Sequence, residues 1–359
     1  MMNPLDDKVL LDIRMLIEAS DSTHQVGGEG IFWEVLSGKH VSLVREFGFQ
    51  NFKRTINFEY SQWGVTSLRD RKLTHLARGL WGKCRFPWGG FLTRVGHNDT
   101  GIRWPDAIHA QTGAAVEQAG FGGRLRLRAY AFYCGILWQY AQREDKLGCL
   151  EVPEPLLGNP LPILYRGRLI SQDLALSSLG LNLMASQLPM GRIRRVLEIG
   201  AGYGRLAFLF RKIFPEIEYS ILDIPPALAI SRNYLEGVFG SDAVSPYLVR
   251  GAWHPQGGQI NFLLPQVIDQ VPDGYFDLVI NVSSFDEMRP EVVEDYFRSI
   301  ARVGSGWMYL QGYKQSRAPG RRIGLNDFPY GNDWTEVFGR QDPVEPRFSE
   351  KVMKKRVSA

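Results

Sequence analysis

The chain has 359 residues, 44% hydrophobic and 22% charged, enough to bury a sizeable core in one or two domains. Its 42 Lys and Arg against 38 acids leave a formal charge of +4, too mild a surplus to argue for nucleic acid. Three cysteines, Cys84, Cys134 and Cys149, lack metal-ligand spacing and cannot all pair, which suits a reducing cytoplasm. The start of the chain lacks an apolar signal core, and no stretch reaches the roughly eighteen apolar residues of a membrane helix, so no membrane partner is expected.

In chain order, Leu10-Leu11 and Ile13-Arg14-Met15-Leu16-Ile17 have helical spacing. So does Ala107 to Gln142, interrupted by Gly120-Phe121-Gly122-Gly123. Arg124-Leu125-Arg126-Leu127-Arg128 would align three arginines on a strand and spread them on a helix; such a run is ordinarily a solvated face, with an anion site as the rarer use. Ala129 to Tyr140 is apolar but short, a core helix, and the proline-rich Leu150 to Pro162 reads as a connector. Residues 1–165 therefore read as a mainly helical N-terminal domain and 166–359 as a second domain. The first either covers a site on the second or forms a subunit interface in a homo-oligomer.

Ser171 to Met184 reads as a helix leading into the second domain. There Val196-Leu197-Glu198-Ile199 is a short apolar strand that breaks into Gly200-Ala201-Gly202-Tyr203-Gly204. Glycines leave no side chain between the backbone and a ligand, and Glu198 adds a carboxylate beside bare amides. That combination suits a cationic or zwitterionic nucleoside better than a pyrophosphate. A dinucleotide loop wants glycine at its sixth position, where Arg205 stands, and a phosphate loop wants Gly-Lys-Ser/Thr, which is absent.

A second strand, Tyr219 to Ile224, carries Asp223 at the offset where an acid accepts hydrogen bonds from a ribose diol. A third, Ile260 to Pro265, ends at Gln266, either a base-edge ligand or a helix-start residue. A fourth, Phe276 to Val282, follows the turn Pro272-Asp273-Gly274 and runs into Ser283-Ser284-Phe285-Asp286-Glu287-Met288. A fifth spans Gly306 to Gln311, and two more lie near Trp334–Arg340 and Ser349–Lys354. Strand and helix alternate, which argues an α/β doubly wound parallel sheet with ligands outside its carboxyl ends.

The pattern E-x-G-x-G-x-G resembles motif I of class I S-adenosylmethionine-dependent methyltransferases, a Rossmann-like fold. Asp223-Ile224-Pro225-Pro226, Phe262-Leu263-Leu264-Pro265, Ile280 to Met288 and Asn332-Asp333-Trp334 resemble a bacterial family of sugar O-methyltransferases. So do Phe32-Trp33 and Asn51-Phe52-Lys53-Arg54-Thr55-Ile56-Asn57. The resemblance runs from about residue 30 onward. It implies an antiparallel hairpin at one sheet edge and S-adenosylmethionine held by Glu198, Gly200, Ala201, Gly202, Tyr203, Gly204, Asp223, Ile224, Leu264, Gln266, Asn281 and Ser283. It implies methylation of a hydroxyl on a sugar or glycosylated natural product, a small-molecule acceptor, with N- or C-methylation of a non-sugar natural-product acceptor as the alternative. Asn57, Tyr60 and Arg166 are the expected acceptor contacts; Trp63, Trp81, Trp88 and Trp104 would stack on an acceptor or pack a core.

A sugar hydroxyl is a poor nucleophile until its proton leaves, and a positioned base contributes about 10²–10⁴ in rate. Two residues compete for that task. Glu287 follows the fourth strand, where a helix N-terminal acid would also stand. His254 lies in a loop before the third strand, and histidine is the residue type best suited to proton transfer at neutral pH. Asp286 and Glu287 are adjacent and no histidine is spaced to join them, so no metal is expected.

Overall fold

A computed structural model describes residues 4–20, 31–56, 71–81, 88–96, 120–249, 253–316 and 323–356. The elements in chain order begin with α1 (Pro4–Ser20), α2 (Ile31–Phe47), α3 (Arg71–Trp81), β1 (Thr93–Val95) and α4 (Gly120–Glu144). They continue with β2 (Ile163–Tyr165), β3 (Arg168–Leu169), α5 (Gln172–Gln187), β4 (Arg195–Ile199), α6 (Arg205–Ile213), β5 (Glu218–Leu222) and α7 (Pro225–Phe239). Then come β6 (Val244–Leu248), β7 (Ile260–Leu263), β8 (Phe276–Val282), α8 (Pro290–Val303), β9 (Gly304–Tyr313), β10 (Trp334–Gln341) and β11 (Phe348–Lys355). None of the described helices is long and apolar enough to cross a membrane.

The chain folds into two compact units and passes between them more than once. The first comprises Met1–Asp7, Ser42–Asn182 and Pro343–Pro346; the second comprises Lys8–Val41, Leu183–Asp342 and Arg347–Ala359.

In the first unit, β1, β2 and β3 form a small antiparallel sheet. Its core includes Asn51–Ile56, where every residue is buried. The proline-rich stretch expected as a connector is the surface against which these residues pack. Lys53 donates to Glu154 at 2.5 Å and to the Pro155 carbonyl at 3.0 Å. Arg54 donates to the carbonyls of Asn159 and Pro160. Gly158 has φ +88, and a Cβ there would lie 2.4 Å from the Phe52 ring, so only glycine lets the two segments meet. The arginine-rich run falls on α4, a helix that starts at Gly120, and not on a strand.

The second unit holds an eight-stranded sheet of order β10-β11-β9-β8-β4-β5-β7-β6. The six strands from β9 to β6 are parallel; β11 runs antiparallel to both β9 and β10. This is a Rossmann-like, mainly parallel sheet closed at one edge by the antiparallel β10–β11 hairpin. The central strands are near-continuous apolar runs because helices cover both faces of a parallel sheet. α8 shows the complementary pattern, with Val292, Val293, Tyr296, Phe297 and Ile300 buried on one side. One strand is not announced by any apolar run in the sequence. β6 pairs beside β7 at the sheet edge, where Pro246 is exposed and its missing N–H costs no ladder bond. Helix α1 packs in this unit too: Asp12 accepts hydrogen bonds of 2.8 Å from both Asn233 and Tyr247.

Candidate active site

β4 pairs with β5 on one side and β8 on the other, so the chain's direction of winding reverses at β4. In a doubly wound sheet the crevice for a ligand opens at that point, beyond the carboxyl ends. Ile199, Leu222, Leu263 and Val282 end four parallel strands, so the segments after them converge on one edge. These segments are the glycine loop, Asp223-Ile224, Leu264–Gln266 and Ser283–Glu287.

The glycine loop takes its shape from left-handed backbone at Gly200, Gly202 and Gly204, with φ of 75, 61 and 84 degrees. At Gly200 the need is double. An added Cβ would fall 2.1 Å from Ser284 Oγ, so a side chain would displace the turn after β8. Ala201 is buried, and Tyr203 stacks edge-on against Tyr234 of α7 at 5.2 Å, so the loop offers a ligand its backbone rather than that ring.

Two acids are buried beside this loop. Asp223 accepts from the amides of Gly202 at 3.0 Å and Ile224 at 2.8 Å, yet burial pushes its carboxyl up to about 7. The charges of Glu198 and Glu287 raise it further. Glu198 accepts from the Tyr219 hydroxyl at 2.8 Å and is also pushed up to about 7 by burial, with Tyr219 and Arg205 opposing the shift. Among the described residues neither Glu198 nor Asp223 stands in an ion pair. Burial without a paired cation is costly for a carboxylate and prepares the edge for a positively charged ligand.

Two further polar atoms here are buried without a partner, Gln266 Nε2 and Ser283 Oγ. Ser283 also has φ 60, a left-handed conformation costly for a non-glycine residue and often found where a site fixes the chain. Leu264 is fully buried and Ile224 half-buried at the same edge of the sheet.

Other expected site residues are placed differently. Asn281 is 2% exposed and engaged within the protein, donating to the Ile199 carbonyl at 2.9 Å and accepting from Phe285 N at 3.2 Å. Direct ligand contact gives way there to a tie between β4 and the turn after β8. His254 is exposed, and its neighbour Trp253 packs against Tyr275 and Phe276 at the amino end of β8. That is the opposite edge of the sheet from the glycine loop, so His254 is not brought to the site. Arg166 is exposed at the tip of the β2–β3 hairpin, where Arg166 and Gly167 have φ of 50 and 84 degrees. Its role is that of a turn residue. Asn57, Tyr60, Trp63 and Trp104 lie outside the described residues, as does the side chain of Trp81. Asp286 is buried and accepts from Tyr313 N at 2.8 Å, anchoring the turn to β9. Among the described residues no group of three or more acids, histidines or cysteines is arranged to hold a metal ion.

No protein-family model matches the chain, and no curated protein matches it. It is similar to several solved structures over about half its length. One is the PH0226 protein from Pyrococcus horikoshii OT3, at 16% identity, covering 48% of this chain and 86% of that one, with a TM-score of 0.37. Another is the magnesium protoporphyrin IX methyltransferase ChlM from Synechocystis PCC 6803 with bound SAH, at 13% identity, 52% and 86% coverage and a TM-score of 0.37. A third is the [4+2]-cyclase SpnF, at 15% identity, 51% and 83% coverage and a TM-score of 0.39.

Proposed function

We propose that this chain is an S-adenosylmethionine-dependent O-methyltransferase acting on a hydroxyl of a sugar or glycosylated natural product. The observation that carries the reading is the pair of buried carboxylates outside any ion pair among the described residues, Glu198 and Asp223, flanking a glycine-rich loop at the topological switch point. A pyrophosphate would meet two acids there; a nucleoside with a positively charged tail meets complementary charge. The orphaned Gln266 and Ser283 atoms fit the same ligand.

When bound, S-adenosylmethionine supplies a sulfonium-borne methyl group whose transfer leaves a neutral thioether. The chain's own residues do the rest. The glycine loop after β4 would hold the amino-acid end, and Asp223 would accept from the ribose hydroxyls. Ile224 and Leu264 flank the base, and Gln266 bonds its edge. Glu287, close enough to Asp223 to act on its charge, takes the acceptor's hydroxyl proton onto a carboxylate oxygen. Alignment and exclusion of water supply most of the remaining rate. The buried, unpaired Cys134 and Cys149 support a reducing cytoplasmic setting, and the first unit is assigned acceptor selection or self-association.

The test is calorimetry with S-adenosylmethionine and S-adenosylhomocysteine, then product NMR after incubation of a ¹³C-methyl donor with a panel of sugars and glycosides. O-methyl resonances support the reading, and N- or C-methyl products replace it with the alternative. Absence of binding to both nucleosides overturns it. In an active pairing, Glu287→Gln is expected to keep donor affinity and lose about 10²–10⁴ in turnover, whereas His254→Ala keeps both.

A further inference from the structure

We propose that Asn281 is a positioning residue whose single buried amide couples the donor loop to the acceptor turn. This inference rests on the methyltransferase reading and deepens it. Methyl transfer is in-line, so the separation between the donor's cradle and the base's turn governs the rate, and an ångström of misplacement is severe. Three contacts set that separation. Asn281 Nδ2 donates to the carbonyl of Ile199, the last residue before the glycine loop. Its Oδ1 accepts from Phe285 N, in the short 3₁₀ turn Phe285–Glu287 that carries Glu287. Between these bonds Ser284 lies directly over Gly200.

The turn has no slack of its own. It is entered through the left-handed Ser283, whose amide donates to the Gln311 carbonyl at 2.7 Å. It is held on its far side by the bond from Tyr313 N to Asp286. A displacement of the glycine loop therefore passes to Glu287 through Asn281, with Ser284 packed over Gly200 beside it, because the remaining anchors belong to β9. Two hydrogen bonds from one buried group to two segments form a physical link of the kind that coupling requires.

Amide hydrogen exchange on the full chain, with and without S-adenosylhomocysteine, tests the link. Wild type is expected to show slowed exchange at 199–204 and, by about tenfold, at 283–288, a segment remote in sequence. Asn281→Asp keeps the acceptor for Phe285 N but loses the donor to Ile199. It is expected to retain protection at 199–204 while the response at 283–288 shrinks to less than about twofold. Asn281→Ser, which shortens the side chain, is expected to lose the same response. A merely structural asparagine would lower the melting temperature and leave both responses in place. Wild-type protection confined to 199–204 overturns the coupling even if neither variant folds, and leaves the methyltransferase reading intact. An unaltered response at 283–288 in either variant overturns it equally. Failure of wild type to bind the nucleoside overturns both.

Discussion

The two units each bury charge, and they do so in opposite ways. In the first, Lys53 and Glu154 are 3% and 5% exposed and lie 2.5 Å apart, with Pro155 and Ser171 completing their hydrogen bonds. That set is closed: every charge has its counter-charge inside the protein, and its work is to lock Asn51–Ile56 against residues 154–160. In the second, Glu198 and Asp223 are as deeply buried, but their partners are a phenol and backbone amides. That set is electrically open. Paired buried charge reads as architecture, and buried charge of one sign reads as a place for a ligand.

The comparison is broken first by opening the closed set. Lys53→Ala leaves Glu154 buried and uncompensated, and is expected to cost about 3–5 kcal/mol in urea unfolding. The folded fraction should bind S-adenosylhomocysteine within about twofold of wild type, since its closed set makes no ligand contact. Affinity lost in step with stability would mean that the first unit's charges serve the site after all.

Blocking the open set comes next. Gly200→Ala puts a Cβ into left-handed backbone and onto Ser284. The backbone term alone is about 1–2 kcal/mol, and with the clash the affinity for S-adenosylhomocysteine should fall about 100-fold. Adding Ser284→Gly removes the clash but not the strain, so it should restore only part of the loss.

Backbone features of this site were legible in the sequence, and side-chain directions were not. The spaced glycines, the apolar runs and Asp223 after the second run state where the chain turns and which strand ends carry acids. Strand alternation then places those ends together. Asn281 sits at one of them and reads as a ligand contact, because nothing in periodicity says that its amide bridges Ile199 and Phe285. His254 had the right chemistry, but loop length alone does not say at which sheet edge a loop packs; Trp253 decides that through Tyr275 and Phe276. Pro246 masked the edge strand β6. The Asn51–Ile56 segment lies where an acceptor contact is expected next door at Asn57, and its complete burial shows side chains spent on packing.

Removing one acid from the open set sharpens the comparison at a single residue. Asp223→Ala deletes the acceptor of the Gly202 and Ile224 amides and the group assigned to the ribose hydroxyls. Affinity for S-adenosylmethionine should drop more than about tenfold, consistent with the loss of one or two charge-assisted bonds. Asp223→Asn retains an acceptor for one amide and should fall between the two. An unchanged affinity in calorimetry would remove Asp223 from the site.

The smallest effect is the most discriminating, because stability and affinity should move in opposite directions with pH. Glu198 and Asp223 are raised to about 7, chiefly by burial, and Glu350, next to Asp342, is raised likewise despite its bond from Arg340. An unfolded carboxyl titrates near 4, so between about pH 4 and 7 the folded protein holds protons that the unfolded chain has released. Their contribution to stability is therefore full below about 4 and is lost as pH rises through 7. A cationic ligand prefers the ionised acids, so affinity for S-adenosylmethionine should tighten about fivefold from pH 6 to 8 while ligand-free stability declines. Glu350 takes part only in the stability trend, since its carboxylate already faces Arg340 and Tyr309. Asp223→Asn should accordingly flatten the affinity profile, whereas Glu350→Gln should flatten only the stability profile. A wild-type affinity that stays level across this range would mean that the acids bind as neutral groups, leaving the loop amides rather than its charge to choose the ligand.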